Sequence, residues 1–186
     1  MDYVKLSKEI SYALRHAPWE YELELDESGW VGIDQVLEAL NRKDEWPNLG
    51  EVDLYKMIAL SDKKRHQIQE GKIRALYGHS IPGRIMKAQQ EPPQLLFHGT
   101  ARRFITSIKE RGLLPGQRQY VHLSADVETA RQVGMRRDNH PVILRIHSGQ
   151  AWKAGVLFYL GNDKVWLADS IPSQFIDFGE NGSGGL

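Results

Sequence analysis

The sequence predicts an α+β fold of two lobes. Helical periodicity dominates the first sixty residues, a hairpin pattern follows at 66–76, and the second half of the chain contains five short strand-like segments. The two prolines in EPPQ, residues 91–94, separate these halves, because neighbouring prolines resist both helix and central strand. We therefore expect one lobe over residues 1–90 and another over residues 94–179.

The first lobe is predicted to begin with an amphipathic helix over residues 3–16. Its apolar residues recur at helical spacing, and Pro18 ends the pattern. The following segment, YELELD, alternates like a strand, and ESGW is typical of a turn. Two more helices are predicted from the apolar sets Ile33, Val36, Leu37 and Leu40, and Leu54, Tyr55 and Ile58.

A β-hairpin is expected to close the first lobe. RHQIQ and KIRALY are strand-like and flank Glu70 and Gly71, a pair that favours a tight turn. Helices followed by such a hairpin are typical of a winged-helix-like lobe.

The second lobe is predicted to be richer in strands. LLF is a short buried strand, and a helix is expected over residues 101–112. YVHLS is a strand that leads into the helix ADVETARQVG, which Ser124 or Asp126 caps. PVILRI, GVLFYL and KVWLA complete the strands, and the tail of residues 180–186 is expected to be disordered.

Composition excludes several classes of protein. The chain has 186 residues with 41% hydrophobic content and no cysteine, which excludes disulfides, thiolate catalysis and cysteine zinc sites. No apolar run approaches the roughly 20 residues of a membrane span, and MDYVKLSKEI does not have the form of a signal peptide. We therefore expect a cytoplasmic protein without a membrane partner. The histidines never pair at i, i+4, so no metal site is expected.

The charges are balanced in number but not in position. The chain has 24 basic and 24 acidic residues. Residues 20–53 hold eleven acids and two bases, whereas basic residues gather in DKKRHQIQEGKIR, ARRFITSIKERG and RQVGMRR. This asymmetry allows a local basic groove for a phosphate-rich ligand, although solvated helix faces would give the same pattern.

Two tripeptides carry a histidine with a hydroxyl residue two positions later. HGT, with His98 and Thr100, and HLS, with His122 and Ser124, each directly follow a predicted strand. Paired motifs of this form are typical of two-histidine RNA phosphodiesterases, in which they supply an acid and a base. The structural explanation is a strand-end histidine satisfied by backbone groups and a hydroxyl that caps a helix. These residues alone leave both explanations open.

Three arginines lie at element boundaries. Arg15 ends the first helix, Arg65 precedes the hairpin, and Arg118 precedes a strand. The planar guanidinium matches phosphate with two parallel hydrogen bonds, and element ends are places where such side chains converge on a ligand. Arg15 and His16 also have a structural explanation, because the interaction of a cation with the helix dipole at the C-terminus stabilises a helix by about 0.3–1 kcal/mol.

Eight separated sequence blocks occur in a fixed order. They are LSKEISYALRHAP, DESGWVGIDQVL, SDKKRHQI, IRALYGHS, PPQLLFHGT, IKERGLLPGQRQYVHLSAD, PVILRI and VWLA. Their order and spacing resemble those of the bacterial KptA-type NAD-dependent RNA 2′-phosphotransferases over residues 5–178, nearly the whole chain.

The resemblance implies a fold and a reaction. The fold is an N-terminal winged-helix-like lobe that binds RNA and a C-terminal lobe of ADP-ribosyltransferase type with a split β-sheet, with the active site in the cleft between them. The reaction removes an internal 2′-phosphate from RNA, as some tRNA splicing pathways leave at ligated junctions. The phosphate attacks the nicotinamide ribose C1″ of NAD and expels nicotinamide, which gives an ADP-ribosylated 2′-phosphate. The ADP-ribose 2″-hydroxyl then attacks that phosphate, releasing 2′-hydroxyl RNA and ADP-ribose 1″,2″-cyclic phosphate.

The resemblance also assigns residues. The essential tetrad of the family falls on Arg15, His16, Arg65 and Arg118. The NAD-binding set falls on His98, Gly99, Thr100, His122, Ser124 and Val165. The substrate-binding set falls on Lys64, Arg74, His79 and Ser80. Val165 stands where many protein-modifying relatives have a catalytic glutamate, which favours the RNA-directed branch. Ser124, near a helix start, is suited to the NAD pyrophosphate.

Three functions stay open at this point. The first is the RNA 2′-phosphotransferase, a monomer with NAD as co-substrate and no metal. The second is a two-histidine cyclic phosphodiesterase that uses His98 and His122 without NAD. The third is a non-catalytic winged-helix nucleic-acid binder, for which the acidic residues 20–53 are an awkward surface. For the first function, the expected substrates are a tRNA-like splice junction or other phosphorylated RNA or DNA ends in repair, and ADP-ribosylation of such ends is a further expected activity.

Overall fold

The structure is a computed structural model that describes residues 1–179. The tail expected to be disordered, residues 180–186, lies outside the described residues. The chain divides into two compact units, one of residues 1–86 and a second that begins at Lys87. Each unit has its own hydrophobic core.

The first unit contains three α-helices and a three-stranded antiparallel sheet. Its elements are α1 (Tyr3–Arg15), a 3₁₀ helix (Pro18–Tyr21), β1 (Val31–Gly32), α2 (Ile33–Asn41), α3 (Glu51–Ala59), β2 (His66–Gln69) and β3 (Lys72–Ala75). The strand order is β1-β3-β2. The three predicted helices and the hairpin are confirmed. β1 is an addition, because two residues are too few to show strand alternation.

The amphipathic helix α1 supplies the centre of this core. Leu6, Ile10 and Leu14 are fully buried and recur at helical spacing. The side chain of Asp2 accepts a hydrogen bond from Lys5 N at 3.0 Å, which caps the start of the helix. The last turn then presents its C-terminal residues at the edge of the unit.

The predicted strand YELELD is wrong. Pro18 begins the 3₁₀ helix, and Glu22 follows in the left-handed region at φ 54°, a conformation that a strand does not contain. The alternation is nevertheless real, because Tyr21 and Leu23 are buried in the first core. Their burial comes from packing against helices, so no strand partner is needed.

Helix α3 buries, fully or partly, two of the three apolar residues that predicted it. Leu54 and Met57, one turn apart, are buried, and Ile58 is partly buried. Tyr55, the third residue of that apolar set, is exposed. Single exposed apolar residues are common on folded proteins, and apolar type alone does not identify the inward face.

The second unit is built on a six-stranded antiparallel sheet. Its elements are β4 (Leu96–Thr100), a 3₁₀ helix (Arg102–Phe104), α4 (Ile105–Arg111), β5 (Val121–Ser124), α5 (Val127–Gly134), β6 (Val142–Ile146), α6 (Ser148–Lys153), β7 (Phe158–Leu160), β8 (Val165–Ala168), a 3₁₀ helix (Ser173–Phe175) and β9 (Ile176–Asp177). The strand order is β7-β8-β5-β4-β6-β9. The predicted strands and helices are confirmed, and α6 and β9 are additions. Gln89 already pairs with Tyr159, ahead of residues 91–94.

The centre of this sheet is joined at one point. β4 and β5 share a single registered pair, Phe97 with Ser124, whereas β4 and β6 share five pairs and β5 and β8 share four. The sheet therefore has two halves, β7-β8-β5 and β4-β6-β9, which meet at that pair.

Gly99 allows β4 and α5 to approach each other closely. A β-carbon on Gly99 would lie 1.8 Å from the Ala130 carbonyl oxygen. On the other side of the contact, a β-carbon on Gly134 would lie 3.2 Å from the Gly99 carbonyl carbon. Packing inside the second unit is thus a sufficient reason for glycine at position 99.

We expect Gly99→Ala to lower the free energy of unfolding by about 3 kcal/mol, because a backbone carbonyl cannot move aside. Gly116→Ala is the matched control: Gly116 has a φ of +64° and no atom within 4 Å of the added carbon, so only backbone strain of about 1 kcal/mol is expected. Urea unfolding measures both. Equal losses in the two variants would contradict the close-approach explanation.

Candidate functional site

The C-terminal end of α1 positions Arg15. Its guanidinium carbon lies 4.9 Å from the centre of the Tyr77 ring, a cation–π distance. Gly78, at φ +88°, runs alongside, where a β-carbon would lie 3.5 Å from Arg15 Cδ. The 76–80 loop therefore holds the half-buried Arg15 side chain in place.

His16 is fixed by the same loop. The Ser80 amide donates to the Arg15 carbonyl at 2.9 Å, and His16 Nδ1 lies 2.7 Å from Ser80 Oγ. The His16 ring also lies near Tyr12, with centroids 6.2 Å apart. Ser80, expected to bind substrate, thus orients His16. His79, expected in the same set, is 4% exposed and lies in the interior of the first unit.

Arg65 stands immediately before β2. Its Nη1 donates to Ser61 Oγ at 3.1 Å, and its carbonyl accepts from Leu76 N at 2.9 Å. The backbone bond extends the hairpin by one residue beyond its last registered pair. Arg65 is therefore anchored by the sheet at its backbone and by a hydroxyl at its guanidinium.

A buried histidine lies beside both arginines. His66 is 5% exposed, and its Nε2 lies 3.0 Å from Ser11 Oγ on α1. Burial, and then the positive charges of Arg15 and Arg65, lower the pKa of His66 to about 3. The ring is therefore neutral at physiological pH, and both guanidinium groups act on it electrostatically.

Three of the four expected catalytic residues line one depression in the first unit. Arg15, His16 and Arg65 border a cavity of about 660 Å³. Guanidinium groups at the edge of one cavity can hold a phosphate through charge-assisted hydrogen bonds. The fourth residue, Arg118, is exposed in the second unit, in the loop before β5, where its amide donates to the Pro115 carbonyl at 3.2 Å.

Two other expected substrate-binding residues occupy different positions. Lys64 is exposed in the loop that leads into β2. Arg74 lies on β3, where Nε and Nη2 donate to Gln67 Oε1 at 2.9 and 2.7 Å and the guanidinium carbon lies 4.4 Å from the Trp30 ring centre. Because neighbouring strand residues face opposite sides, Arg74 and Gln67 face away from the side on which His66 lies.

In the second unit, the two motif histidines are linked through backbone. His98 Nδ1 donates to the His122 carbonyl at 2.9 Å, and His122 Nδ1 donates to the Tyr120 carbonyl at 3.0 Å. Both rings therefore carry the proton on Nδ1. Burial, partly offset by the bond to His122 and reinforced by the charge of Arg137, lowers the pKa of His98. Both histidines lie within strands, His122 in the predicted strand YVHLS and His98 in β4, so the HGT motif continues a strand and does not follow one.

The remaining expected NAD-binding residues lie on β4, β5 and β8. Ser124 of β5 pairs with Phe97 of β4 and with Val165 of β8. Thr100 and Ser124 are buried, and Val165 is half-buried. The structure thus gathers this set around the joint of the two sheet halves, with an aliphatic side chain at position 165.

The start of α5 is already occupied by a carboxylate. Asp126 Oδ1 accepts from Thr129 N at 2.7 Å, and Oδ2 accepts from Thr129 Oγ1 at 2.9 Å. Of the two residues predicted to cap α5, Asp126 therefore does so and Ser124 does not. Bonds to the Thr129 amide lower the pKa of Asp126 in spite of its partial burial. An ionised carboxylate at a helix start repels a pyrophosphate, which does not favour that position for an anion.

The described part of the chain has no cluster of side chains suited to bind a metal ion. Within residues 1–179, no group of three or more His, Asp or Glu side chains has an arrangement that could hold a metal ion. None of the helices in this range is long and apolar enough to cross a membrane.

Comparison with known proteins agrees with the motif pattern. The sequence model described as RNA 2′-phosphotransferase, Tpt1/KptA family, matches residues 1–170. The chain belongs to the Tpt1/KptA family of RNA 2′-phosphotransferases. The predicted resemblance to that family is therefore confirmed.

Relatives of the Tpt1/KptA family align over nearly their whole length. Proteins named probable RNA 2′-phosphotransferase from Acetivibrio thermocellus, Bacillus thuringiensis and Lacticaseibacillus paracasei are 65%, 58% and 43% identical to the chain. The alignments cover 96%, 96% and 93% of this chain and 98%, 97% and 92% of those proteins.

His66 is a residue of this family member that the motif analysis does not single out. Its position two residues before Ile68, on an alternating strand, indicates an inward-facing side chain, and this signal was available in the sequence. Its contact with Ser11 joins residues 55 positions apart, which no local pattern predicts.

We expect His66 to make stability depend on pH. In the unfolded state His66 binds a proton below its ordinary pKa of about 6.5, whereas in the folded state it does not bind one until about pH 3. The stability that the neutral ring contributes is therefore fully present above pH 6.5 and is lost as the pH falls toward 3. Between pH 7.5 and 5.0 the wild type should lose about 2 kcal/mol more than His66→Gln, which keeps a polar group near Ser11. Urea unfolding at both pH values checks this, and the same pH dependence in both proteins would contradict a neutral buried ring.

Proposed function

We propose that this family member removes an internal 2′-phosphate from RNA by transferring it to NAD. The observation that carries the proposal is the gathering of Arg15, His16 and Arg65 at one cavity in a chain that belongs to the RNA 2′-phosphotransferase family. Under this proposal the products are 2′-hydroxyl RNA, nicotinamide and ADP-ribose 1″,2″-cyclic phosphate. The proposed substrates are 2′-phosphorylated RNA, such as a tRNA-like splice junction, or other phosphorylated nucleic-acid ends.

The architecture of the two units supports RNA binding by the first and NAD binding by the second. Three helices and an antiparallel hairpin in the first unit fit a winged-helix-like, RNA-binding lobe. The second unit, with two sheet halves joined at Phe97 and Ser124, fits an ADP-ribosyltransferase-type lobe that binds NAD. These fold assignments are part of the proposal.

Arg15 and Arg65 are proposed to hold the RNA 2′-phosphate, with Arg118 as the fourth member of the tetrad. The Arg15 guanidinium lies at cation–π distance over the Tyr77 ring and that of Arg65 donates to Ser61, so each is oriented before a ligand arrives. Neutral His66 adds no third positive charge beside them. A phosphate that binds there replaces like-charge repulsion with attraction, which lowers the energy of the bound anion.

His98, Gly99, Thr100, His122, Ser124 and Val165 are proposed to line the NAD site. The Nδ1 proton of each histidine is donated to a backbone carbonyl. The neutral His98 ring therefore presents Nε2 as a hydrogen-bond acceptor, which suits a ribose hydroxyl. NAD supplies a ribose carbon with nicotinamide as leaving group. Aliphatic Val165 offers no carboxylate to activate a neutral nucleophile, and a phosphate anion requires no such base.

Two bond exchanges complete the proposed reaction. A 2′-phosphate oxygen bonds to ribose C1″ as the bond from C1″ to nicotinamide breaks. The 2″-hydroxyl oxygen then bonds to phosphorus as the bond to the RNA 2′-oxygen breaks, and the hydroxyl proton ends on that RNA oxygen. The arginines stabilise charge on the phosphoryl oxygens, and His16, held by Ser80, either contacts the phosphate or transfers the proton.

The two-histidine phosphodiesterase is not favoured. That function needs His98 and His122 to exchange protons, but burial keeps His98 neutral and its Nδ1 proton is bonded to a carbonyl. It also leaves the cavity with Arg15 and Arg65 unused. A binding protein without activity leaves the NAD-site residues unexplained.

Arg65→Ala should lower turnover of a 2′-phosphorylated oligonucleotide by about 10²–10³-fold, the effect of losing one oriented donor to a phosphoryl group. Arg42→Ala is the control, because Arg42 is exposed in the same unit and pairs with the surface residues Glu22 and Glu38. Nicotinamide release and loss of the 2′-phosphate are followed with and without NAD. Turnover without NAD, or none in either condition, would overturn the proposed function, and a fully active Arg65→Ala would overturn the phosphate site.

Ser80→Ala should lower kcat about fivefold, because one hydrogen bond that orients the His16 ring is worth about 0.5–1.5 kcal/mol. Ser107→Ala, the same change at an exposed position of α4, is the control and should keep full activity. Steady-state kinetics on the same oligonucleotide measure both. A wild-type kcat in Ser80→Ala would show that the bond does not matter for His16.

A further inference from the structure

The cavity at Arg15 and Arg65 extends well beyond these residues as a groove along α1. One wall is a single face of that helix, because its residues recur at helical spacing, and they are Val4, Lys8, Ser11, Tyr12 and Arg15. The opposite wall comes from the end of α3 and the loop that follows, with Met57, Leu60, Ser61, Lys63 and Arg65. We call this feature the α1 groove.

The α1 groove is longer than a phosphate site requires. From Arg15 to Val4 the helix rises about 16 Å, at 1.5 Å per residue. Arg15 and His16 lie at the C-terminal end of α1, and Val4 lies near its start. One phosphate with its ribose fills only the arginine end, so the rest of the groove has room for neighbouring nucleotides.

The charges along the α1 groove suit a polyanion. Lys8 and Lys63 add two cations to those at the arginine end. The acids on the lining are Asp2 and Asp62, and the Asp2 carboxylate is engaged with the start of α1 through Lys5 N. The balance is therefore positive in a chain whose overall formal charge is +0.

An aromatic ring lies where a base would follow the phosphate. Tyr12 is 42% exposed, and its ring centroid is 6.2 Å from that of His16. Its hydroxyl donates to Glu20 at 3.0 Å, which holds the ring in place. Exposed aromatic rings beside cations are the usual way in which proteins bind unstacked bases, whereas bases in a duplex are not available for stacking.

We propose that the α1 groove binds the single-stranded RNA next to the 2′-phosphate, with a base against Tyr12 and backbone phosphates at Lys8 and Lys63. The inference rests on the proposed function, because that function places the 2′-phosphate at Arg15 and Arg65. It makes the enzyme selective for phosphates in unpaired RNA of more than two nucleotides.

The test compares a 2′-phosphorylated dinucleotide with a 2′-phosphorylated, unpaired RNA of about ten nucleotides. Wild type should have the lower KM for the longer RNA. Tyr12→Ala should raise that KM about tenfold through lost stacking, and Lys8→Ala should raise it and reduce the slope of log affinity against log salt by about 0.7. The kinetics of Lys8→Ala on the dinucleotide should stay close to wild type.

Lys5→Ala is the matched control, since Lys5 lies on the same helix, is absent from the groove lining and pairs with Glu45. It should behave as wild type on both substrates. Equal KM values of wild type for the two substrates, or an equal loss on both substrates in Lys8→Ala, would overturn the proposal. So would inhibition by polyglutamate as strong as that by unphosphorylated RNA, because the groove would then accept any acidic chain.

A binding measurement separates this proposal from the proposed function. Fluorescence anisotropy with a labelled, unphosphorylated single-stranded RNA requires no turnover. Weaker binding by Lys8→Ala and Tyr12→Ala, with Lys5→Ala unchanged, supports the groove even if no substrate reacts with NAD. Identical binding by all four proteins overturns the groove even if the enzyme is active.

Discussion

The site depends on keeping two guanidinium groups beside one buried imidazole while that imidazole stays uncharged. Arg15 comes from the end of α1 and Arg65 from the start of β2, and both lower the pKa of His66. A third cation there would repel both arginines in a region of low dielectric. A bound phosphate reverses this situation, so the site is prepared for an anion and a cationic ligand is disfavoured.

The surrounding fold makes that arrangement rigid. Tyr77, Gly78 and Ser80 follow β3 in one short loop and hold the end of α1 from outside. The hairpin register holds Arg65 at its backbone, and Ser11 joins α1 to His66 from within. In the second unit, the Gly99 contact fixes α5 against β4, and the two histidine rings are oriented by carbonyls. Both sets of residues are therefore oriented before any ligand binds.

The sequence predicted the elements better than it predicted their contacts. Helical spacing and the Glu70-Gly71 turn led to the right helices and hairpin, because these depend on local physics. The strand predicted for YELELD is wrong because its alternation reflects packing against helices. Tyr55 belongs to the apolar set that predicted α3 and is nevertheless exposed, because apolar type alone does not identify the inward face of a helix. The bond from Ser80 to His16 and the contact of Ser11 with His66 join distant positions, so neither could be read from spacing. Arg15, Arg65 and Arg118 were noted because they lie at element boundaries, and the family motifs assigned them to one tetrad.

The fate of the phosphorus atom tests the central claim most directly. Phosphorus-31 NMR can follow a 2′-phosphorylated RNA during incubation with the protein and NAD. The account predicts that the monoester signal is replaced by that of a five-membered cyclic phosphodiester, in step with nicotinamide release. Appearance of inorganic phosphate while NAD stays intact would contradict it, because the phosphate would then have been transferred to water.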